Sequence, residues 1–333
     1  MTLNWLPAVS FLVPAFFSAA LFAEEAPIRV GMIGLDTSHV VAYAKIMNDP
    51  DAPEEVRGVR VVYGFPGGSD DFPLSRDRVK GFTEQLREMG IEIVDSLEAL
   101  VEKSDAVMVM SVDGRPHLAQ AEAALAAKKP VFVDKPFAAS LADVVAIFAC
   151  AEKHGTPCFG SSSSRFSPGY IELTMDETVG RIVGCDAYSQ CRAAPHHPDL
   201  FWYGCHGVEL LHTVLGPGCK TVTAAQTPYT ETVTGIWSDG RVGTFRGIRE
   251  HTHKTGLGVT VFGEKKIVYH DQYYDYRPLV VEIAHFFKTG KPPVAPEETI
   301  GVFAFMAAAE ESKRRGGQPV SVEEVLKAAK DEK

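Results

Sequence analysis

The stretch IRVGMIGLDTSHV, residues 28–40, joins an apolar run to a glycine and then to a helical pattern. IRVGMIG is typical of a buried β-strand, and the HVVAYAKIMN that follows repeats apolar residues at helical spacing. Asp36, Thr37 or Ser38 is the expected N-cap of that helix. A strand, a tight turn at Gly34 and a helix in this order predict the first unit of a parallel sheet.

The same alternation of strand and helix continues towards residue 162. Further strands are predicted at 59–64, 91–94, 105–111 and 130–134, and further helices at 78–90, 96–103, 116–129 and 140–155, with a loop at 66–75. Strands that alternate with helices form a parallel sheet covered on both faces, because each crossover packs a helix on it. The pattern predicts a Rossmann-type, doubly wound α/β domain over residues 27–162.

The second half has a different texture, and it predicts a C-terminal α+β domain over residues 163–333. Strand-like stretches dominate 180–270, and GEKK (263–266) between two of them indicates a hairpin turn. One helix interrupts the strands, and two amphipathic helices follow them. We expect a large, open, mainly antiparallel sheet.

The N-terminal segment, residues 1–23, is predicted to be a signal peptide. Its apolar run WLPAVSFLVPAFFSAALFA contains two prolines and ends in small residues, which favours cleavage near Ala23 over a membrane anchor. No twin arginine precedes it, so Sec-type export to the periplasm or the extracellular space is expected. No other segment is long and apolar enough to span a membrane.

Composition limits the partners of the chain. The formal net charge of the 333 residues is −10 and no basic block stands out, which argues against nucleic acid. The six cysteines all lie in the second half, and an exported chain could pair some of them. Cys150 and Cys158 are instead expected to be small buried apolar residues.

Three local motifs carry a family resemblance. They are VFVDKPFAAS (131–140), the helix and strand HLAQAEAALAAKKPVFVDKP that lead into it, and WYGCHGVELLHTVLG (202–216). Together with the layout, they resemble the glucose–fructose oxidoreductase, inositol dehydrogenase and rhizopine-catabolism family (Gfo/Idh/MocA). Gly204 and His206 match the helix motif of that family, whereas Trp202 and Glu209 stand where it has aspartates.

The resemblance implies hydride transfer between NAD or NADP and a hydroxyl-bearing carbon of a sugar or polyol. It assigns catalysis to Lys135 and His206, with Glu209 beside them. It also implies a homo-oligomer formed through the C-terminal sheet. The cofactor-binding residues that it implies are Gly34, Asp36, Thr37, Ser38, His39, Ser111, His117, Asp134 and Lys135.

The turn after the first strand departs from the G-x-G-x-x-G fingerprint. Gly34 is present, but Asp36 replaces the glycine that lets the backbone approach a pyrophosphate, and His39 replaces the glycine for close helix packing. Asp36 adds a negative charge where phosphates bind, or it caps the helix. No acidic residue ends the second strand, at Tyr63 and Gly64, to hold a ribose.

These departures leave other functions open. Besides the oxidoreductase, the sequence is compatible with a cofactor-independent sugar lyase, epimerase or hydrolase, or with a non-catalytic sugar-binding protein. For the second function, polar side chains from two loops would converge beside Lys135, because both loops leave the carboxyl ends of neighbouring strands. Those side chains are Asp36, His39, Asp113, Arg115 and His117.

Candidate metal ligands and aromatic residues support weaker hypotheses about the site. His206, Glu209 and His212 are weak metal candidates, because the two histidines point about 120° apart on a helix. His196 and His197 precede that helix and would add ligands, whereas His251 and His253 alternate along a predicted strand and share one face. The tyrosines Tyr273, Tyr274 and Tyr276 suit either sugar stacking or core packing.

Overall fold

The computed structural model describes residues 1–2, 26–249 and 256–332. The N-terminal half forms a six-stranded parallel sheet in the order β3-β2-β1-β4-β5-β6. Its strands are β1 (Ile28–Ile33), β2 (Val59–Phe65), β3 (Glu92–Ile93), β4 (Ala106–Val109), β5 (Val131–Val133) and β6 (Cys158–Gly160). Its helices are α1 (Ser38–Met47), α2 (Pro73–Glu88), α3 (Leu97–Lys103), α4 (His117–Ala126) and α5 (Leu141–His154).

The C-terminal half forms a seven-stranded sheet in the order β12-β11-β7-β10-β9-β8-β13. Its strands are β7 (Ile182–Gln190), β8 (Cys219–Gln226), β9 (Thr230–Trp237), β10 (Val242–Ile248), β11 (Gly258–Gly263), β12 (Ile267–His270) and β13 (Val320–Ser321). Among the described strand pairs of this second sheet, β10 with β7 is parallel and the others are antiparallel. The predicted fold class, a doubly wound sheet followed by a mainly antiparallel one, is confirmed.

The described helices of the C-terminal half are α6 (Cys205–Leu215), α7 (Arg277–Thr289), α8 (Pro296–Arg314) and α9 (Val322–Asp331). Helix α7 packs on the first sheet, where Leu279 and Ile283 share a core cluster with Val30 and Met32 of β1. The two sheets are therefore joined by apolar packing, and the site between them is shaped by both.

Two local predictions need correction. Helix α2 begins at Pro73, inside the stretch predicted as a loop, because proline suits the first helical position. The N-cap of α1 is Thr37, one of the three positions predicted for it. Helix α9 was not predicted, although its Ser321 cap and apolar spacing follow the usual pattern.

Other expectations meet the structure only in part. All six cysteines are free thiols, and Cys158 is buried as expected while Cys150 is half-buried. Most of the predicted signal peptide, together with His251 and His253, lies outside the described residues. Within the described ranges, no helix has the length and apolar character needed to cross a membrane.

Candidate functional site

A cavity of about 760 Å³, partly open to solvent, lies where the two halves of the chain meet. The polar and aromatic groups around it come from both halves. They include His39, Asp134, Lys135, Tyr203, His206, Tyr273 and Tyr276. The structure therefore brings Lys135 and His206 to one cavity, as the resemblance implied, and it adds two of the three tyrosines.

Lys135 enters the cavity because it follows the carboxyl end of β5. The half-buried side chain places Nζ 5.4 Å from the centre of the Tyr203 ring, a distance at which an ammonium is attracted to the aromatic face. Tyr203 belongs to a π-helical turn, Leu200–Gly204, that leads into α6. Such turns occur frequently at functional sites.

His206 is held by a chain of polar contacts behind it. Its Nδ1 lies 2.6 Å from the Ser162 hydroxyl, and the Ser162 backbone N–H donates to Glu209 at 2.8 Å. Ser161 donates its hydroxyl to the same carboxylate. Glu209 thus fixes the serine loop against which His206 rests. Burial and the neighbouring Lys135 lower the pKa of His206 to about 3, so its imidazole is neutral at working pH.

His39 and Asp134 form a second polar pair at the cavity. The His39 Nδ1 lies 2.7 Å from an Asp134 carboxylate oxygen, and the Tyr43 hydroxyl approaches the other oxygen at 3.5 Å. His39 and Tyr43 lie one turn apart on α1 and stack with ring centres 5.5 Å apart. Burial would raise the pKa of Asp134, but the contact and hydrogen bond with His39, followed by the charge of Lys135, keep it below its usual range.

The fingerprint turn is closed by Asp36. The Asp36 carboxylate is fully buried and accepts hydrogen bonds from the Val112 backbone N–H at 2.7 Å and from the Ser75 hydroxyl at 2.5 Å. Burial raises the pKa of Asp36, and these two hydrogen bonds oppose that rise. Because Val112 follows β4 and Ser75 opens α2, we call these three residues and their contacts the Asp36 clasp.

The chain beyond β2 runs along the same turn. Phe65 and Pro66 accept hydrogen bonds from the Gly34 and Leu35 backbone N–H groups at 3.0 and 2.8 Å. Gly34 itself has φ +84°, and a Cβ there would collide with Ser111. The turn and the loop after β4 therefore pack directly on each other.

Aromatic packing covers the clasp from the C-terminal half. Phe72 packs edge-on against Trp202 with ring centres 5.2 Å apart, and Val112 completes this cluster. The Gly114 backbone N–H also donates to His197 at 3.1 Å. The loops after β1, β2 and β4 are thereby tied to one another and to the second half of the chain.

This geometry tests whether the turn suits a dinucleotide. A pyrophosphate bound in the usual way needs a small second residue and free backbone N–H groups at the helix start. Here the buried carboxylate of Asp36 stands at that residue, and the His39 N–H at the helix start is taken up by the Thr37 hydroxyl at 3.5 Å. The turn with its clasp closed does not fit a pyrophosphate.

The other predicted residues are dispersed, and the expected convergence beside Lys135 is wrong for all but His39. Asp113 instead pairs with Arg115, which reaches Asp71, and His117 is buried between backbone carbonyls. Among the implied cofactor residues, Thr37 and Ser111 are buried and Ser38 is exposed. Asp36 does not cap α1, because its carboxylate is engaged in the clasp.

The weak metal candidates are not brought together. His212 turns towards Trp237 and Phe305 and donates its Nδ1–H to the Val208 carbonyl at 3.0 Å, away from His206. Within residues 26–249 and 256–332, no group of three or more metal-ligating side chains could hold an ion.

Sequence reasoning missed Ser162, Tyr203 and Ser75. The run SSSS at 161–164 follows β6 directly, so its position at a strand's carboxyl end was a signal for a site. Tyr203 lies inside the WYGCH motif, next to residues that were singled out. Nothing local marks Ser75 as the partner of Asp36, because the two residues are 39 positions apart.

Comparison with known proteins supports the fold and the family. The model of the "Oxidoreductase family, NAD-binding Rossmann fold" (GFO_IDH_MocA) matches residues 75–160, a range that begins after the fingerprint turn. No curated protein matches the chain in sequence.

Solved structures match over nearly the whole chain. A probable dehydrogenase from Thermotoga maritima superposes with a TM-score of 0.72 at 20% identity, covering 90% of this chain and 100% of its own. GenD2 from gentamicin A biosynthesis, in complex with NAD, gives 0.72 at 17% identity, with 96% and 99% covered. The scyllo-inositol dehydrogenase from Lactobacillus casei, with bound NAD(H) and scyllo-inositol, gives 0.71 at 17%, with 89% and 99% covered.

At such identities the structural likeness establishes the fold, and the family model adds the NAD-binding type of its first domain. The resemblance to the Gfo/Idh/MocA family is thereby confirmed: residues 75–160 match the model of that family, and the described part of the chain shares the fold of these solved structures.

Proposed function

We propose that this protein is an oxidoreductase that acts on a hydroxyl-bearing carbon of a sugar or polyol in the cavity at Lys135. The observation that carries the proposal is the meeting of Lys135 and His206 in one cavity between the two halves of the chain. The family model and the inositol dehydrogenase structures support it.

Lys135 and His206 would hold the reacting oxygen between them. The ammonium of Lys135 stabilises negative charge as it develops on that oxygen. His206, neutral and pinned at Nδ1 by Ser162, offers its other ring nitrogen as a hydrogen-bonding group. Tyr273 and Tyr276 present aromatic faces of the kind on which a sugar ring packs.

NAD or NADP is the redox cofactor that the family implies, and it would supply the hydride acceptor. Since the closed Asp36 clasp does not fit a pyrophosphate, binding of a dinucleotide requires Asp36 to part from Val112 and Ser75. We therefore expect weak binding, with the clasp as the obstacle.

The test is a turnover screen of the mature protein with myo-inositol, scyllo-inositol and common aldoses, with NAD or NADP, following the absorbance of the reduced cofactor. We expect turnover that Lys135→Met abolishes, because the cation at the reacting oxygen is lost. Lys129→Met changes a half-buried lysine shortly before β5; it is the matched control and should keep the activity. Reduction of cofactor that is equally fast in Lys135→Met would contradict the proposal.

A second function is favoured by the closed turn itself. With the dinucleotide kept out, the same cavity would catalyse proton transfer alone, as in a sugar lyase, epimerase or hydrolase. Product formation from a sugar without added nucleotide, by a protein whose native mass spectrum contains no dinucleotide, would support this function over the first.

We also propose that the protein is exported by a Sec-type signal peptide. The apolar N-terminal run with its small-residue end supports this. Mass spectrometry of the chain purified from the periplasm of an expression host should find an N-terminus near Glu24. An intact N-terminus on a cytoplasmic protein would contradict it.

A further inference from the structure

The pair of His39 and Asp134 has no part in the mechanism above, although both residues line the cavity. His39 is nine-tenths buried, and its ring is confined between Tyr43 and Tyr276, whose ring centres lie 5.5 and 4.9 Å away. The imidazole is therefore held in one orientation at the cavity wall.

The contact with Asp134 determines which nitrogen of His39 is free to accept a proton. A carboxylate can only accept, so at 2.7 Å the Nδ1 of His39 must donate its proton to Asp134. The neutral ring then carries its lone pair on Nε2. A histidine oriented by a buried carboxylate in this way is the arrangement by which general bases are held in position.

We propose that His39, oriented by Asp134, is a proton-transferring residue of this cavity and takes the hydroxyl proton of the bound sugar or polyol at Nε2. The proposal rests on the function proposed above and adds a catalytic residue to it. In the step, the substrate O–H bond breaks, an N–H bond forms at Nε2, and the electron pair stays on the oxygen beside the ammonium of Lys135.

The other histidine of the cavity is poorly suited to this step. A group with a pKa of about 3, such as His206, is a weak base and takes up no second proton near neutral pH. Asp134, in contrast, lies 2.7 Å from Nδ1 of His39, where its carboxylate stabilises the positive charge that forms when Nε2 takes the substrate proton. Among the described residues, the other titratable or charged groups that line the cavity around His39 are Tyr43, Lys135, Tyr203, His206, Tyr273 and Tyr276.

The first experiment needs no substrate. Long-range proton–nitrogen spectra of the chain labelled with ¹⁵N at histidine, with His39 assigned from His39→Gln, should show Nδ1 protonated and Nε2 bare at neutral pH. Asp134→Leu removes the acceptor at Nδ1, so part of the neutral His39 population should then carry its proton at Nε2. A wild-type ring protonated at Nε2, or a tautomer population that Asp134→Leu leaves unchanged, would overturn the proposal.

The second experiment uses whichever polyol the wild-type protein converts. His39→Gln should lower kcat by about a hundredfold or more, change KM little and remove the acidic limb of the pH–rate profile. Asp134→Asn leaves the ring in place, so a similar loss of kcat cannot come from lost packing. His285→Gln, an exposed histidine on α7, is the matched control.

The outcomes separate the two proposals. If His39→Gln retains kcat within about threefold, His39 is not the base, although the oxidoreductase proposal stands. If the wild-type protein converts no sugar or polyol, the proposed function fails, and the nitrogen spectra still decide whether His39 is oriented as a base.

Discussion

The clasp at Asp36 makes a quantitative prediction for dinucleotide binding. Asp36→Asn keeps the shape of the side chain and can still accept the Val112 N–H, but it removes the negative charge. A carboxylate about 5 Å from one phosphate charge, at an effective dielectric constant of about 20, is repelled by roughly 3 kcal/mol. We therefore expect Asp36→Asn to tighten the binding of NAD(H) by about a hundredfold, at about 1.4 kcal/mol for each factor of ten.

Asp36→Gly goes further, because it also frees the Val112 N–H and the Ser75 hydroxyl. It should bind the dinucleotide at least as tightly as Asp36→Asn does. It should also be less stable, since two hydrogen bonds to a charged group are lost, each contributing about 1.5–3 kcal/mol. Relief of the buried charge offsets part of that loss.

The assay is a titration of each variant with NADH at pH 8, following the fluorescence of the bound cofactor. At acidic pH, protonation of Asp36, whose pKa is raised by burial, would reduce the difference between the variants. Asp70→Asn removes a charge from an exposed position in the neighbouring loop, after β2, and should leave the affinity unchanged. Tight binding by the wild-type protein, or a folded Asp36→Asn variant without a tenfold gain, would refute the reasoning.

Three further predictions concern stability and positioning. Gly34→Ala should destabilise the chain by about 2 kcal/mol or more in urea unfolding, because φ is +84° and the new Cβ meets Ser111. Burial lowers the pKa of His212 to about 4, so below pH 6.5 the unfolded chain binds more protons than the folded one. The free energy of unfolding therefore falls with acid, by about 2 kcal/mol at pH 5. His212→Leu should flatten this dependence on pH, and an unchanged dependence would contradict the assignment to His212. Glu209→Gln should lower kcat about tenfold with little change in KM, because Ser162 then holds the ring of His206 less firmly. A rise in KM alone would instead indicate that Glu209 has a role in substrate binding.

Much of this architecture could be predicted because its signals are local. Alternation and helical spacing predict most strands and helices from their own residues, although the helix starts marked by Pro73 and Ser321 were missed. Lys135 and His206 were singled out because each lies within a contiguous motif. Their meeting was implied by the resemblance, because His206 lies on α6 and only Lys135 follows a strand end.

The contacts that give the site its character are not local. Asp134 is 95 positions from His39, and Val112 is 76 from Asp36. Such contacts depend on how separate loops pack against one another at the edge of the sheet. The spacing of residues within one loop does not predict that packing. The sequence showed that the fingerprint was altered, but only the packed structure shows what each altered residue binds.

Asp36 and His39, the two altered positions of the fingerprint, both have hydrogen-bond partners. This bears on whether the turn has been rebuilt for another purpose. A charged or polar side chain that replaces a buried glycine costs several kcal/mol if it lacks hydrogen bonds. Yet Asp36 has two donors, from separate elements, and His39 has a carboxylate acceptor at 2.7 Å. Two replacements that are each fully accommodated point to a rebuilt turn rather than a decayed one. If so, restoring the glycine at position 39 alone should impair the cavity chemistry without improving dinucleotide binding, because the Asp36 clasp would still be closed.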